Sequence, residues 1–484
     1  MTADTLDLPH TLAHGSRQEL AAALSDARQH TLGLLDALVA ALPPGLELRV
    51  LPELNPPRWL LAELAWAEDW WIARHPLRRL GPQARPDTPR SAAPLPRLDA
   101  AVAPGLSHAS RWHQDVPDLP TLRSLLAASR QRTLALLAST PQTDDALHPY
   151  RQALRREDAL RLLLLTICQT LGLAPGPLAA SPLPCPAAAD DLDVPAASHH
   201  FGAPPTGQHP AHERPAFELA LHGFAIDRAP INWARFLPFI EAGGYEEPRW
   251  WTPEGWAWVR RQNLLRPRHL SRSDDGHWLL AQFGQWVPLD PRWPALFISR
   301  HEALAWCRWA GRRLPSELEW ETAARLAADD LPDSAADTGT PPFSWGQALE
   351  WTLSDALPWA AVAAAGNTTA TESVEPFTTE PGDAPTWPAG LADEPLVSLR
   401  GAGPFTAPRL ATPWARHSAP PGWNAWPTGF RSCAPLAEGV RAVHVGPAPD
   451  FVHHSALLAA PRPPRKRAAP KRPPDSDLLS TGTE

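Results

Sequence analysis

"CRWAGRRLPSELEWE", residues 307–321, joins the clearest helix of its neighbourhood, "RHEALAWCRWAG" at 300–311, to a densely charged turn. Ser316 and Glu319 stand at capping-box spacing. Arg312, Arg313, Glu317, Glu319 and Glu321 therefore read as internal salt bridges and helix caps rather than as catalytic acids and bases. Around this block lie "FAIDRAPINWARFLPFIEAGGYEEPRWW" (224–251), "FSWGQALEWTLS" (343–354) and "TGFRSC" (428–433). Short apolar strands, tryptophan pairs and many Gly/Pro turns make this half irregular α+β rather than a parallel α/β sheet. Glu350, Trp351 and Thr352 read as structural.

Upstream the pattern changes to helical spacing. "SRQELAAALSDARQHTLGLLDALVAAL" (16–42) opens with Ser16 and Glu19 as a capping box. "PPRWLLAELAWAEDWWIARHP" (56–76) starts with proline in its first turn. "LPTLRSLLAASRQRTLALLAS" (119–139) is the third helix, and "ALRREDALRLLLLTICQTLG" (153–172), closed by Gly172, the fourth. Apolar residues recur at three- and four-residue spacing in each, as a four-helix bundle requires. The fourth carries Arg155, Arg156, Glu157 and Asp158 where a bundle turns inward. The Pro/Arg-rich connection from His75 to Pro117 has the length of a functional or disordered loop.

The expected organisation is a bundle at 15–175, a Pro/Ala-rich linker at 176–213, an α+β domain at 214–436, and an extension with a disordered basic tail at 437–484. With 484 residues, 23 Trp and 60 Pro, the chain has ample core and long irregular connections. The net charge of −8 gives no global sign of nucleic-acid binding. The tail's Arg462, Arg465, Lys466, Arg467, Lys471 and Arg472 read as a solvated run, and a nucleic-acid partner is not expected. Cys168, Cys185, Cys307 and Cys433 lie far apart without a CxxC pair, which reads as reduced and cytoplasmic. No signal peptide or membrane span is expected.

Taken in order, the four blocks of the second half strongly resemble the formylglycine-generating-enzyme-like (sulfatase-modifying-factor) fold. Joined to a DinB-like four-helix bundle, the chain resembles the ergothioneine-type sulfoxide synthases. "SHASRWHQDVPDLP" (107–120) and "REDALRLLLLTICQTLG" (156–172) resemble the selenoneine synthase branch more closely. The resemblance implies Fe(II) held by three histidines and O2-dependent joining of sulfur or selenium to the imidazole carbon of hercynine. Neutral imidazoles suit Fe(II) and leave positions open for O2 and the donor.

At the positions where the resemblance places those histidines, this chain has Glu63 (in "WLLAELAW"), Arg156 and Leu160 (in "REDAL"). The expectation is an Arg–carboxylate pair where an iron would sit, with Leu160 filling the third ligand's volume. A guanidinium cannot deprotonate to ligate and repels a dication. No cofactor is then expected in this chain, Fe(II) being implied only by the resemblance. His75, His108, His113 and His148 remain as scattered imidazoles.

"RHSA" (416–419) stands where the resemblance places a hercynine-holding asparagine, which makes Arg416 and His417 binding candidates. Trp250 and Trp251, with Trp256 and Trp258, form a cation–π cage or simply core; packing is favoured. Arg74, Arg78 and Arg79 contact an anionic co-substrate or are a solvated basic loop. His199–His200 and His453–His454 read as loop pairs without a metal role. Two functions stay open. One is an enzyme forming a C–Se or C–S bond on hercynine. The other is a pseudoenzyme that binds a betaine-like molecule, a selenosugar, a thiol or a protein partner, with room for an active paralogue beside it.

Overall fold

The computed structural model describes residues 9–436 apart from 86, 104, 179–181, 186–190, 330–342, 360, 361 and 363–394. The four long helices of the first part are α2 (Arg17–Ala41), α3 (Pro57–Glu68), α6 (Leu119–Ala138) and α7 (Asp144–Leu171). Shorter ones are α1 (Pro9–His14), α4 (Arg97–Ala101) and α5 (His108–Arg111). Ser16 and Glu19 make both halves of the capping box of α2. Thr143 caps α7, which ends on Gly172 in the left-handed region (φ 69°), a conformation that costs glycine nothing. A π turn, Asp69–Ala73, continues α3.

Leu34, Leu61 and Leu164 are fully buried in one cluster that also takes in Leu296, Phe297 and Phe405 from the second part. The two parts thus share a core, and burial of each leucine contributes ~2 kcal/mol.

The second part is mixed helix and sheet. Its central sheet runs β10 (Arg416–Ala419), β9 (Val397–Ala402), β8 (Ala348–Asp355), β11 (Thr428–Gly429). The first two pairings are antiparallel, and β11 lies parallel to β8. Helices α8 (Trp233–Glu241), α9 (Pro253–Gln262), α10 (Arg300–Ala310) and α11 (Glu317–Asp329) surround it. Only α10 was expected as a clear helix; α8 and α9 are short and carry Pro238 and Pro253, which mask their periodicity, while only the capped start of α11 was read.

The expected linker is a correction. β1 (Leu192–Val194) pairs with β4 (Phe224–Ile226), and β2 (Ala197–Phe201) pairs with β3 (Phe217–Leu221). Buried Cys185 also donates its backbone N–H to Arg292 O. The second part therefore begins before 192 rather than at 214, because Leu192, Val194 and Phe201 supply apolar strand residues inside a Pro/Ala-rich stretch. His199 and His200 sit in β2, not in a loop. A third sheet is the meander β5 (Leu270–Arg272), β6 (Trp278–Gln282), β7 (Gln285–Pro288). His453, His454 and the basic tail lie outside the described residues. Among the described residues no helix is long and apolar enough to cross a membrane.

Candidate functional site

The four charges of "RRED" each find a separate partner, and those partners define the site. Arg155 Nη1 donates to Gln152 Oε1 at 3.0 Å and its Nη2 to Gln208 O at 3.2 Å. Arg156 Nη1 donates to Glu63 Oε1 across the bundle. Glu157 accepts from Arg28 Nε at 2.6 Å and from Arg130. Asp158 takes both arms of Arg409, Nε at 2.8 Å and Nη2 at 2.7 Å. Arg409 also reaches Asp26 at 2.9 Å and so ties the second part to α2 and α7.

Glu63 and Arg156 are each 8% exposed. Burial pushes the Glu63 carboxyl above its ordinary range, outweighing the pull of Arg156 and then Arg111. Arg111, whose Nη1 donates to Asn55 Oδ1 at 3.0 Å and whose guanidinium lies 5.0 Å over the Trp59 ring, is itself pushed down by burial. Leu160, one turn along α7 from Arg156, is 4% exposed and belongs to the shared core. A carboxylate already held by a guanidinium, that guanidinium, and an alkyl chain do not make a donor set for Fe(II), which asks for uncommitted imidazole or carboxylate. The residues present do not fit the metal.

Next to this pair Arg28, Arg130, Glu68 and Glu157 form a closed buried network: Arg28–Glu68 at 2.7 Å, Arg130–Glu68 at 2.9 Å, and both arginines on Glu157. Burial raises the Glu157 carboxyl, but Arg130 and Arg28 together outweigh it and hold the group below its usual range. Two positive and two negative charges compensate one another there, so the network is structural.

The remaining candidates are scattered. Arg74 is buried and grips Asp99 with both arms, at 2.6 and 2.7 Å, while its Nε donates to Ser91 O. It is thus neither solvated nor in a loose loop, and the His75–Pro117 connection is tied down by it. Arg78 is half-buried and borders a bundle cavity; Arg79 is exposed, reaching Ser139 O at 3.4 Å. Arg416 is held by Glu317 at 3.0 and 3.1 Å and lies 3.8 Å over the Trp359 ring. Its neighbour His417 is half-buried and its Nε2 has no partner among the described residues; burial and then Arg400 lower its pKa to about 4. Trp251 donates to Gly244 O at 2.9 Å and packs on Tyr245, and Trp250 stacks under Arg249. The structure brings Glu63, Arg156 and Leu160 together, and does not bring Arg416, His417, Trp250 or Trp251 to them. Sequence reasoning missed Arg409, whose partners Asp158 and Asp26 lie too far away in the chain for any local signal, and it quoted Arg111 only inside the 107–120 motif without giving it a role.

Residues 187–393 match the sulfatase-modifying factor enzyme 1-like domain. The hercynine oxygenase of Mycolicibacterium smegmatis is 30% identical over 322 residues, covering 64% of this chain and 69% of that protein. That of Mycobacterium tuberculosis is 32% identical over 314 residues, covering 64% and 70%. This chain belongs to the hercynine oxygenase family. The formylglycine-generating enzyme of Thermomonospora curvata is 30% identical over 131 residues, covering 24% of this chain and 42% of that enzyme. The hercynine oxygenase match agrees with the ergothioneine-type sulfoxide synthase resemblance of the sequence.

Proposed function

We propose that this member of the hercynine oxygenase family is a selenoneine- or ergothioneine-synthase-like protein whose DinB-like bundle has exchanged its iron site for an ion pair. On this reading it is a cytoplasmic pseudoenzyme that binds a hercynine-like betaine instead of oxidising it. The observation that carries the proposal is the buried Glu63–Arg156 pair beside Leu160, at the three positions where the resemblance puts histidines. Each side chain there satisfies its neighbour, so the substitutions act as a set. The "SHASRW" and "QTLG" motifs favour the selenium branch for its ancestry.

Calorimetric titration of the full chain with hercynine, and with glycine betaine as a smaller control, tests the ligand. Saturable binding of one hercynine per chain, without oxygen consumption when Fe(II) is added, is the expected result. Oxygen-dependent turnover of hercynine with a thiol or selenosugar would refute the pseudoenzyme reading. Absence of hercynine binding would shift it to a protein partner.

A further inference from the structure

A partly open cavity of about 290 Å3 lies on one side of the bundle, between α3 with its π turn, the short 3-10 segment Arg78–Gln83 and the N-terminal half of α7. Its lining residues all fall between Leu64 and Arg156, so the second part contributes none. Leu64, Trp71, Pro82 and Pro149 give it apolar walls.

The polar groups on those walls are unbalanced. His75 is 2% exposed, and its Nδ1 accepts from the backbone N–H of Leu77 at 3.2 Å. The ring proton therefore sits on Nε2, which has no partner among the described residues. Arg78 spends Nη1 on His75 O at 3.3 Å, while its buried Nε has no partner among the described residues. Gln152 spends its Oε1 on Arg155, leaving its amide NH2. Arg156 spends Nη1 on Glu63. The carboxylate at the wall, Glu68, is already saturated by Arg28, Arg130 and Ser129. The cavity thus offers several N–H donors and no uncommitted carboxylate. Arg78 Nε is a buried donor without a partner among the described residues, the other N–H groups face the cavity, and His148 is engaged through Nδ1 by Gln208, so the donor excess suits an acceptor-rich guest.

We propose that this cavity binds a small organic carboxylate: its oxygens take the N–H groups of Arg78 and His75, and a flat apolar body packs between Trp71, Leu64, Pro82 and Pro149. At interior packing density the volume suits a molecule of about ten or eleven non-hydrogen atoms. The proposal goes beyond the function above and stands whether or not the chain holds iron, since of the three ligand positions only Arg156 borders the cavity.

Calorimetric titration of the full chain with cinnamate and its neutral isostere cinnamamide tests it. Cinnamate is expected to bind one per chain and about tenfold or more tighter than the amide, the margin of a charge-assisted bond. Arg78→Gln, at a half-buried position, removes that margin and leaves cinnamamide unchanged. Ala153→Phe fills the cavity and abolishes binding of both, with urea midpoints confirming that each variant is folded. Equal affinity for acid and amide, an unaltered Arg78→Gln, or no cinnamate binding at millimolar concentration would each overturn the proposal.

Discussion

Replacing the members of the Glu63–Arg156 pair one at a time and together measures what the pair contributes. Two unit charges about 4 Å apart attract by ~4 kcal/mol at an effective dielectric of 20. Taking each charge out of water costs several kcal/mol, and the raised Glu63 pKa shows that burial outweighs the attraction of Arg156 and Arg111 at that carboxyl. Removing one partner therefore strands the other, at a cost of ~3–5 kcal/mol, whereas Glu63→Leu/Arg156→Leu together stay within ~1 kcal/mol of the parent or exceed it. The coupling energy is then ~3 kcal/mol or more. The two single variants differ. Glu63→Leu leaves Arg156 and Arg111 as guanidiniums that cannot discharge, while Arg156→Leu leaves a carboxyl that can take up a proton. Glu63→Leu is thus the more damaging at pH 5. A carboxyl with a raised folded pKa contributes stability that is full below its unfolded value and lost as pH rises through the folded one. The Arg156→Leu penalty accordingly grows from pH 5 to pH 8. Urea unfolding, followed in parallel by tryptophan fluorescence and circular dichroism with coincident transitions, gives the four free energies. Single losses that simply add in the double variant would refute the coupled pair.

Burial holds His269 at about 3 and His301 and His417 at about 4, each below the ordinary imidazole value of 6.5. The unfolded chain takes up protons on these rings first, so stability present above pH 6.5 declines as pH falls toward 4, and His417→Gln flattens part of that decline in urea midpoints. A Cβ on Gly284 would lie 2.3 Å from Gly172 O, and Gly284 has φ +80°, whereas one on Gly276 (φ +85°) meets nothing within 4 Å. Gly276→Ala is expected to cost ~1–2 kcal/mol from backbone conformation alone. Gly284→Ala costs clearly more and loosens the contact between α7 and the β6–β7 turn, read by hydrogen exchange at the end of α7. Placing histidines as Glu63→His/Arg156→His/Leu160→His is expected to raise Fe(II) binding above that of the parent, read by metal analysis.

The helices were legible because their cues are local. Ser16 with Glu19, Gly172, and Ser316 with Glu319 decide helix ends within four residues of sequence, and the structure shows each in use. Glu63 and Arg156 were legible as a pair only through the motif register; their side chains lie 93 positions apart. Strands β1 and β2 were not legible, since short antiparallel pairings depend on residues well outside each strand, as Leu192 with Ile226 and Ala197 with Leu221, and the stretch reads as Pro/Ala linker. The contact between the two parts was equally hidden. His269, Phe283 and Phe297 take positive φ, a costly choice for non-glycine residues, and Phe283 and Phe297 pack on Phe405 where the bundle meets the second part. Such positions are set by tertiary packing, not by propensity. The bundle cavity was hidden for the same reason: His75 and His148 are far apart in sequence and come to line one cavity only when the segment after α3 packs on α7.

The central claim is that the three family ligand positions no longer hold a metal. Anaerobic incubation of the purified full chain with Fe(II), desalting, and metal analysis of the protein fraction tests it most directly. The account predicts iron at the level of a buffer blank with the fold intact. One iron per chain, lost on Glu63→Gln, would contradict it.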